Sequence, residues 1–279
     1  MHIDPTKKLA DAASTEPESL PAKEVRLAYG PERLQFGALH LPAQPGPSPV
    51  VLLIHGGFWR APYDLSLMSG LAEDLARRGI AVWNIEYRRI GDPGGGWPET
   101  LHDVARAADY LYTLSASYPL DLQRVVTAGH SAGGHLALWL AARKTLPPES
   151  PLALAGTPLS LRGVVSLAGA NDLEHVWRLG LGGNAAAELL GGDPHRRPER
   201  YAAASPAAHL PLGLPQVLVH GSADRHVPLI VSQAYAQKAR DAGDQVTLLE
   251  LPGEDHFAVI DPASRAWQIT LEEIHKLLA

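Results

Sequence analysis

The sequence contains no cysteine among its 279 residues. Disulfide bonds, a thiolate nucleophile and cysteine-ligated metal sites are therefore excluded. A dense block of Lys and Arg is also absent, and the formal net charge is -6. Nucleic acids and anionic membrane surfaces attract proteins mainly through positive charge, so we expect neither of them as a partner.

Long apolar runs are missing as well. The longest include PVVLLIH (49–55) and QVLVH (216–220), which are far shorter than the ~20 residues needed to cross a bilayer. The segment MHIDPTKKLADAASTEPESLPAKE (1–24) has no apolar stretch of the kind found in signal peptides, so we expect a cytoplasmic protein. Residues 1–22 also lack apolar periodicity, which predicts a flexible tail ahead of one large domain over 23–279.

The rest of the chain alternates short apolar segments with amphipathic segments of helical length. The apolar segments are hydrophobic throughout, as expected of strands buried on both faces of a parallel sheet. They comprise 50–55, 80–87, 124–130, 161–170, 215–221 and 245–253, and two strand-like segments precede them as an expected antiparallel hairpin, 24–29 with 34–41. We predict an α/β fold, with a mostly parallel, doubly wound sheet of about eight strands and helices on both faces.

This alternation stops between Asn171 and Pro215. The segment is too long for an ordinary connection in such a fold, and parts of it resemble helices. We therefore expect a small, partly helical cap at about 172–214, inserted into the single domain.

The stretch VTAGHSAGGHLALWLAAR (126–143) places Ser131 between two close-set glycines, where a strand-like segment gives way to a helix-like one. Gly129 and Gly133 complete a G-x-S-x-G pattern, whose tight turn leaves no room for side chains at the flanking positions. Such a turn holds the serine hydroxyl above the sheet at a helix N-terminus, where negative charge is stabilised. We interpret Ser131 as a nucleophile; the alternative is a serine that only caps the helix.

A serine nucleophile needs a base that takes its proton and an acid that orients the base. Asp224 follows one late strand in VLVHGSADRHVP, and His256 follows the next in LLELPGEDHFAV. Parallel strands end at the same edge of the sheet, so both loops should meet the loop of Ser131 there. The chain order Ser, Asp, His is that of α/β-hydrolases. We predict a triad of Ser131, His256 and Asp224.

Other residues compete for two of these roles. Asp172 and Asp255 are alternative acids, although Asp172 is more typical of a turn or N-cap residue that opens the cap. His226 is an alternative base, but it shares a short loop with Asp224, and we interpret it as a loop residue. The remaining histidines form two groups: expected buried scaffold residues at strand ends (His55, His130, His220) and expected surface residues of helices or cap (His102, His135, His175, His209).

An early strand-like segment ends in HGGFW (55–59), whose glycines let the backbone pass close to a substrate carbonyl. We expect the N–H of Ala132 as one oxyanion donor and that of Gly57 or Phe58 as the second. Phe58 and Trp59 are also candidate walls of the substrate pocket. The alternative is a Gly-Gly turn whose aromatic side chains pack locally.

The motifs HGGFW, GHSAGGHLA, GSADRHVP and GEDHF make the chain resemble an α/β-hydrolase over essentially everything beyond residue 23. Within that superfamily it resembles the serine esterases with an H-G-G-x-W loop, including the kynurenine formamidase (arylformamidase) group. The resemblance implies the same triad and oxyanion donors. Phe58 stands where a lipase-type HGGG loop has its third glycine, which favours the formamidase-like branch. The segment IEYRR (85–89) resembles a Tyr-Arg turn of these hydrolases, and we interpret it as structural.

No cofactor or metal ion is expected. The sequence has no H-E-x-x-H pattern, and the glycine-rich GDPGGGWP (91–98) lacks the lysine of a phosphate-binding loop. We expect this loop to rim the active site, with Trp97 as a candidate substrate contact.

The expected function is hydrolysis of a small-molecule acyl substrate, either a carboxylic ester or an aryl formamide such as N-formylkynurenine. An amino-acid substrate would need charged groups in the pocket, for which the candidates are Arg60, Glu86, Arg178, Arg196 and Arg197. Acyl transfer and peptide cleavage use the same triad and remain open. A hypothesis of another class is a non-catalytic ligand-binding protein on the hydrolase fold.

Overall fold

The computed structural model describes residues 23–61 and 63–279. The strands are β1 (Lys23–Ala28), β2 (Phe36–Leu41), β3 (Ser48–Ile54), β4 (Ala81–Ile85), β5 (Leu120–His130), β6 (Gly163–Leu167), β7 (Gln216–Gly221) and β8 (Val246–Leu251). They form one sheet in the order β1-β2-β4-β3-β5-β6-β7-β8. The β1–β2 and β2–β4 pairs are antiparallel, and the others are parallel. This confirms the predicted mostly parallel sheet of eight strands.

Helices cover both faces of the sheet, as predicted. They are α1 (Ser69–Arg77), α2 (Glu99–Asp109), α3 (Leu111–Ser115), α4 (Ala132–Ala142), α5 (Leu173–Arg178), α6 (Leu181–Leu190), α7 (Pro198–Ala204), α8 (Ile230–Asp241) and α9 (Arg265–Leu278). Side chains of α1 and α9 pack in the core on one face, and those of α2, α4 and α8 pack on the other. None of the helices within the described residues is both long and apolar enough to cross a bilayer.

Strand β3 shows why the strand segments are apolar throughout. Val50, Leu52 and Ile54 belong to the core on the side of α4, and Val51 and Leu53 belong to the core on the side of α1. All five side chains are fully buried. Successive residues of a strand point to opposite faces, so a strand covered on both sides needs an apolar residue at every position.

The segment between β6 and β7, expected to form a cap, contains α5, α6 and α7. Asp172 caps α5 by accepting hydrogen bonds from the main-chain N–H groups of Glu174 and His175, as predicted for a residue that opens this segment. Residues Gly182 and Asn184 of α6 have left-handed backbone angles that interrupt its helical geometry. The flexible tail predicted for 1–22 lies outside the described residues.

Candidate active site

The carboxyl ends of three parallel strands bring the predicted triad residues together. Ser131 follows β5, Asp224 lies in the loop after β7, and His256 lies in the loop after β8. The Nδ1 atom of His256 is 2.6 Å from Oδ2 of Asp224. Ser131 and His256 line the same cleft. The structure therefore brings the three predicted triad residues to one site, with Asp224 next to His256.

The turn at Ser131 is tight and strained. Ser131 has φ 56° and ψ -116°, a backbone conformation that non-glycine residues rarely adopt. A Cβ atom on Gly129 would lie 2.1 Å from the carbonyl oxygen of Gly133, and one on Gly133 would lie 2.2 Å from that of Ile54. The Ser131 N–H donates to the carbonyl of Leu167 on the neighbouring strand at 2.8 Å. Glycine is therefore required on both sides of the serine, as the motif predicts.

Ser131 is buried and lines the same cleft as His256. Within the described part of the chain, Ser131 Oγ has no hydrogen bond to His256. Hydrogen bonds between nucleophile and base are often long or absent without substrate and tighten in the reacting complex. The lack of this bond is therefore compatible with a serine and a histidine that act together in one cleft.

The Asp224 carboxylate has two main-chain N–H groups and two imidazoles as neighbours. Its Oδ1 accepts from the main-chain N–H groups of His226 and Val227, at 2.8 and 2.9 Å. The imidazoles of His256 and His220 approach Oδ2 to 2.6 and 3.2 Å. Burial opposes ionisation of Asp224, but His220 and His256 outweigh it and hold its pKa well below the usual range. Asp224 is thus an anion whose Oδ2 faces Nδ1 of His256, the arrangement that orients a base in a catalytic triad.

The side chain of His130 contacts the loop that carries His256. Its Nε2 atom lies 2.9 Å from the main-chain oxygen of His256, and the two rings are 4.5 Å apart. Burial, with a further contribution from His256, lowers the pKa of His130 to about 3. The ring is therefore neutral, and it donates from Nε2 to the carbonyl. This is the buried scaffold role that the sequence predicts for His130.

The predicted oxyanion donors lie beside the nucleophile. Gly57 has φ +110°, and a Cβ atom there would lie 2.4 Å from Cβ of Tyr63. Phe58 also has a positive φ, of 50°, and Ala132 is the first residue of α4. The main-chain N–H groups of Gly57, Phe58 and Ala132 have no acceptor among the described residues. They are thus available to bind a developing oxyanion.

The strand ends next to this loop form a buried polar network. His55 Nε2 is 3.0 Å from Glu86, and the Tyr87 hydroxyl donates to the His55 carbonyl at 2.9 Å. Glu86 also accepts the main-chain N–H of Leu65 at 3.1 Å, and Arg88 forms a paired contact with Asp103. The segment 85–89 is therefore structural, as predicted. Glu86 is engaged with its neighbours and not directed to a substrate.

Trp59, a candidate pocket wall, is instead fully buried behind the loop. Its Nε1 donates to Nδ1 of His135 at 3.2 Å, and His135 Nε2 donates to the carbonyl of Ala204 at 2.9 Å. The prediction that His135 lies on the surface is wrong. Helix α4 runs between the sheet and the cap, so every residue along it is buried. Burial lowers the pKa of His135 to about 4.

The remaining candidate contacts lie at the cap. The ring of Trp97 is 5.5 Å from the guanidinium of Arg200, and its main-chain N–H donates to Leu189 at 2.9 Å. Arg60 Nε donates to Glu188 at 2.6 Å. The structure thus joins Trp97 and Arg60 to the cap and not to the cleft. The other candidate cations, Arg178, Arg196 and Arg197, are exposed to solvent.

The cleft around Ser131 is small, with a volume of about 40 Å³, and its walls are mostly apolar. Phe58, predicted from the sequence, is joined there by four side chains that the sequence did not identify as walls: Tyr63, Leu67, His226 and Phe257. Tyr63 and Phe257 are about half exposed, at 49% and 45%. Phe257, as the neighbour of His256, and His226, two residues after Asp224, carried a signal of their position. Tyr63 and Leu67 lie between β3 and α1 and have no pattern that indicates a wall.

Among residues 23–61 and 63–279, no group of three or more His, Asp or Glu side chains is arranged to hold a metal ion. The histidines of the site are instead paired with carboxylates and main-chain carbonyls. The hydroxyl of Ser131, the imidazole of His256 and the N–H groups of the neighbouring loop can together support nucleophilic attack with base assistance and oxyanion stabilisation.

Comparison with known proteins finds esterases. The chain is 28% identical over 240 residues to a probable isoprenylcysteine alpha-carbonyl methylesterase, ICME, of Oryza sativa subsp. japonica, covering 83% of this chain and 57% of the relative. It is 28% identical over 245 residues to Esterase LipC of Mycobacterium tuberculosis, covering 82% and 59%. The chain thus spans less than two thirds of the length of these relatives.

The fold is also shared with solved structures. Esterase B from Lactobacillus rhamnosis superimposes with a TM-score of 0.80 at 22% identity, over 92% of this chain and 85% of that one. Residues 38–239 match the model of the BD-FAE family, which is well over half of the chain. The protein is therefore an α/β-hydrolase that belongs to the BD-FAE family.

Proposed function

We propose that the protein hydrolyses carboxylic esters with a small or medium acyl group, by way of an acyl-enzyme on Ser131. The observation that carries this proposal is the 2.6 Å contact between His256 and Asp224 beside a strained, cleft-lining serine. The methylesterase and esterase names of the relatives support an ester as the substrate.

The reaction proceeds in two stages. His256 Nε2 removes the proton of Ser131 as its oxygen attacks the ester carbonyl carbon, and the resulting oxyanion is bound by the N–H groups of Gly57 or Phe58 and of Ala132. His256 then protonates the leaving alcohol as the C–O bond breaks. Water, activated by the same imidazole, attacks the acyl-enzyme and releases the acid. Asp224 stabilises the imidazolium that forms in both stages.

The test is turnover of p-nitrophenyl acetate and p-nitrophenyl butyrate by the wild type and by Ser131→Ala. We expect the variant to lose at least about 10³-fold in kcat, because no other group can form the acyl-enzyme. Ser117→Ala changes an exposed serine beyond α3 and serves as the matched control, with unchanged rates. Equal rates for the wild type and Ser131→Ala would end the proposal.

The aryl formamide hypothesis rests on the HGGFW loop and uses the same triad. A formamide carries a hydrogen on its carbonyl carbon where an acetyl ester carries a methyl group, so its acyl side needs less space in the cleft than that of an acetyl ester. Measuring kcat/KM for N-formylkynurenine beside that for phenyl acetate separates the two. We expect the ester to react faster; efficient turnover of the formamide alone would replace the ester proposal.

A non-catalytic binding protein would have no reactive serine. We expect a fluorophosphonate probe to label the wild type at Ser131, because phosphonylation needs the base and the oxyanion donors as well as the hydroxyl. Mass spectrometry of the labelled peptide identifies the site. An intact wild type that shows no label at Ser131 would favour the binding hypothesis.

A further inference from the structure

A second histidine lies against the acid of the triad. His220, near the end of β7, is fully buried and has no access to the cleft. Its Nε2 atom is 2.8 Å from the carbonyl oxygen of Val227 and 3.2 Å from Oδ2 of Asp224. The same Oδ2 atom is also in contact with Nδ1 of His256. Val227 in turn donates its N–H to the other oxygen of Asp224. His220 therefore contacts both ends of the turn that carries the acid.

The other nitrogen of His220 begins a chain of buried hydrogen bonds. Nδ1 of His220 is 2.8 Å from Oγ of Ser232 on α8. The side-chain amide of Asn171 donates to the same Ser232 oxygen at 3.3 Å, and Ser166 of β6 donates to Asn171 Oδ1 at 2.7 Å. All four side chains are fully buried. This chain of hydrogen bonds connects three elements of the core, β6, β7 and α8, to the turn that carries Asp224.

The donor and acceptor groups of these residues fix the direction of the hydrogen bonds. Asn171 accepts at its oxygen and donates from its nitrogen, so Ser232 Oγ accepts a hydrogen bond from Asn171 and keeps its own hydrogen to donate to Nδ1 of His220. The Val227 carbonyl opposite Nε2 can only accept a hydrogen bond. Nε2 therefore carries the hydrogen that Val227 accepts, and Nδ1 accepts from Ser232.

Two glycines keep the space for this chain open. A Cβ atom on Gly169 would lie 2.0 Å from Ser166 Oγ and 2.2 Å from Asn171 Oδ1, and a Cβ atom on Gly134 would lie 2.6 Å from Ser166 Oγ. Gly134 is in the helix that begins at the nucleophile turn. The hydrogen-bonded side chains are thus part of the close packing between that helix and β6, which only glycine at these two positions allows.

We propose that His220 is a positioning residue for the triad acid, held in its Nε2-protonated form by Ser166, Asn171, Ser232 and the Val227 carbonyl. It fixes the Asp224–Val227 turn through its hydrogen bond to the Val227 carbonyl, and it places a second imidazole 3.2 Å from Oδ2. Asp224 is thereby kept with Oδ2 directed at His256. The effect on catalysis rests on the proposed hydrolytic function; the protonation of His220 does not.

Two substitutions of His220 separate this role from simple space filling. In His220→Gln the amide nitrogen takes the place of Nε2 and still donates to the turn, whereas in His220→Asn the shorter amide takes the place of Nδ1 and reaches only Ser232. We expect kcat within about 3-fold of wild type for His220→Gln and lower by roughly 10-fold or more for His220→Asn, with KM unchanged for both. Equal loss in the two variants, or no loss in His220→Asn, would overturn the proposal.

A spectroscopic measurement tests the protonation without any turnover. Long-range proton–nitrogen correlation spectra of the ¹⁵N-histidine-labelled wild type at pH 8 distinguish the two neutral ring forms. The His220 signals are those missing from the His220→Gln spectrum. We expect a proton on Nε2 and none on Nδ1; a proton on Nδ1 would overturn the proposal. A wild type that shows this form but no esterase activity would contradict the proposed function alone.

Discussion

Asp224 accepts main-chain hydrogen bonds from His226 and Val227 at one oxygen and contacts the rings of His256 and His220 at the other. Without these neighbours, burial would raise its pKa and favour a neutral acid. With them the group is an anion. In the proposed mechanism, an anionic partner at Nδ1 of His256 keeps the proton there and leaves Nε2 as the base.

Asp224→Asn tests this assignment at the residue scale. An amide can donate its own N–H to His256 Nδ1 and so favour the form of the ring that cannot accept the serine proton. We expect kcat for p-nitrophenyl butyrate to fall by about 10³- to 10⁴-fold with little change in stability.

The matched control is Asp255→Asn. Asp255 is exposed and accepts main-chain N–H groups of Phe257 and Ala258, which an asparagine also accepts. We expect its activity to stay within about 2-fold of wild type, since it makes no contact with Nδ1 of the base. The reverse pattern, with a large loss in Asp255→Asn alone, would identify Asp255 as the acid.

At the scale of elements, the oxyanion loop is fixed by contacts with the helix and the cap behind it. Phe58 and Trp59 both have positive φ, a conformation that costs of order 1–3 kcal/mol for each non-glycine residue. Trp59 donates a hydrogen bond to His135 of α4, and His135 donates one to the carbonyl of Ala204 at the end of α7. These buried contacts offset the strain and hold the N–H groups of the loop near Ser131.

Trp59→Phe tests this support. The substitution removes the indole N–H and leaves Nδ1 of His135 buried without its donor, so we expect a loss of about 1–3 kcal/mol in the free energy of unfolding. The loosened loop should lower kcat more than it raises KM, because oxyanion contacts form in the transition state. Urea unfolding and steady-state kinetics measure both.

Trp177→Phe is the control, because Trp177 lies in the cap at the edge of His195 and is only partly buried. We expect it to leave kcat unchanged. If Trp59→Phe raised KM with stability unaltered, Trp59 would be a substrate contact as first expected from the sequence.

At the scale of the whole molecule, the packed layers on both sides of the sheet bury histidines that remain neutral. The pKa of His130 is lowered to about 3 and that of His135 to about 4, both chiefly by burial. The unfolded chain binds a proton at each near pH 6.5, and the folded chain does not. Protonation therefore favours the unfolded state, and stability is lost as the pH falls from about 6.5 toward 4.

We expect each of these two histidines to lower the free energy of unfolding by roughly 2 kcal/mol between pH 7 and pH 5. Urea unfolding at a series of pH values measures the slope. His135→Gln keeps a donor for the Ala204 carbonyl but cannot titrate, so its slope should be smaller. His195→Gln, at an exposed position, should keep the wild-type slope. An unchanged slope in His135→Gln would contradict this account.

Much of the fold and the triad could be predicted because their signals are local. Apolar residues at every position of β3 indicated a strand covered on both faces, and Gly129 and Gly133 around Ser131 indicated a turn too tight for side chains. Asp224 and His256 were identified by their place after successive strands, since parallel strands end at one edge.

The cleft walls and supports could not be predicted in this way. His135 has the pattern of a helix residue, and only the packing of the cap over α4 buries it. From its sequence position Trp59 is a candidate pocket wall. Its hydrogen bond to His135, 76 positions away, is visible only in the folded structure. Tyr63 and Leu67 lie in the connection between β3 and α1, which includes a short 3-10 helix at Leu65–Met68 and whose sequence has no period that indicates the cleft.

The sequence by itself determined the order of strands and helices, the strained turn at Ser131 and the chain order of the triad. Each depends on residues close together along the chain or on the alternation of apolar segments. Only the tertiary structure showed the second imidazole at Asp224, since His220 reaches it through a fold that also places Ser166, Asn171 and Ser232 in one buried line. Hydrogen bonds between distant residues leave no periodic trace in a sequence, because their geometry exists only after the core has packed.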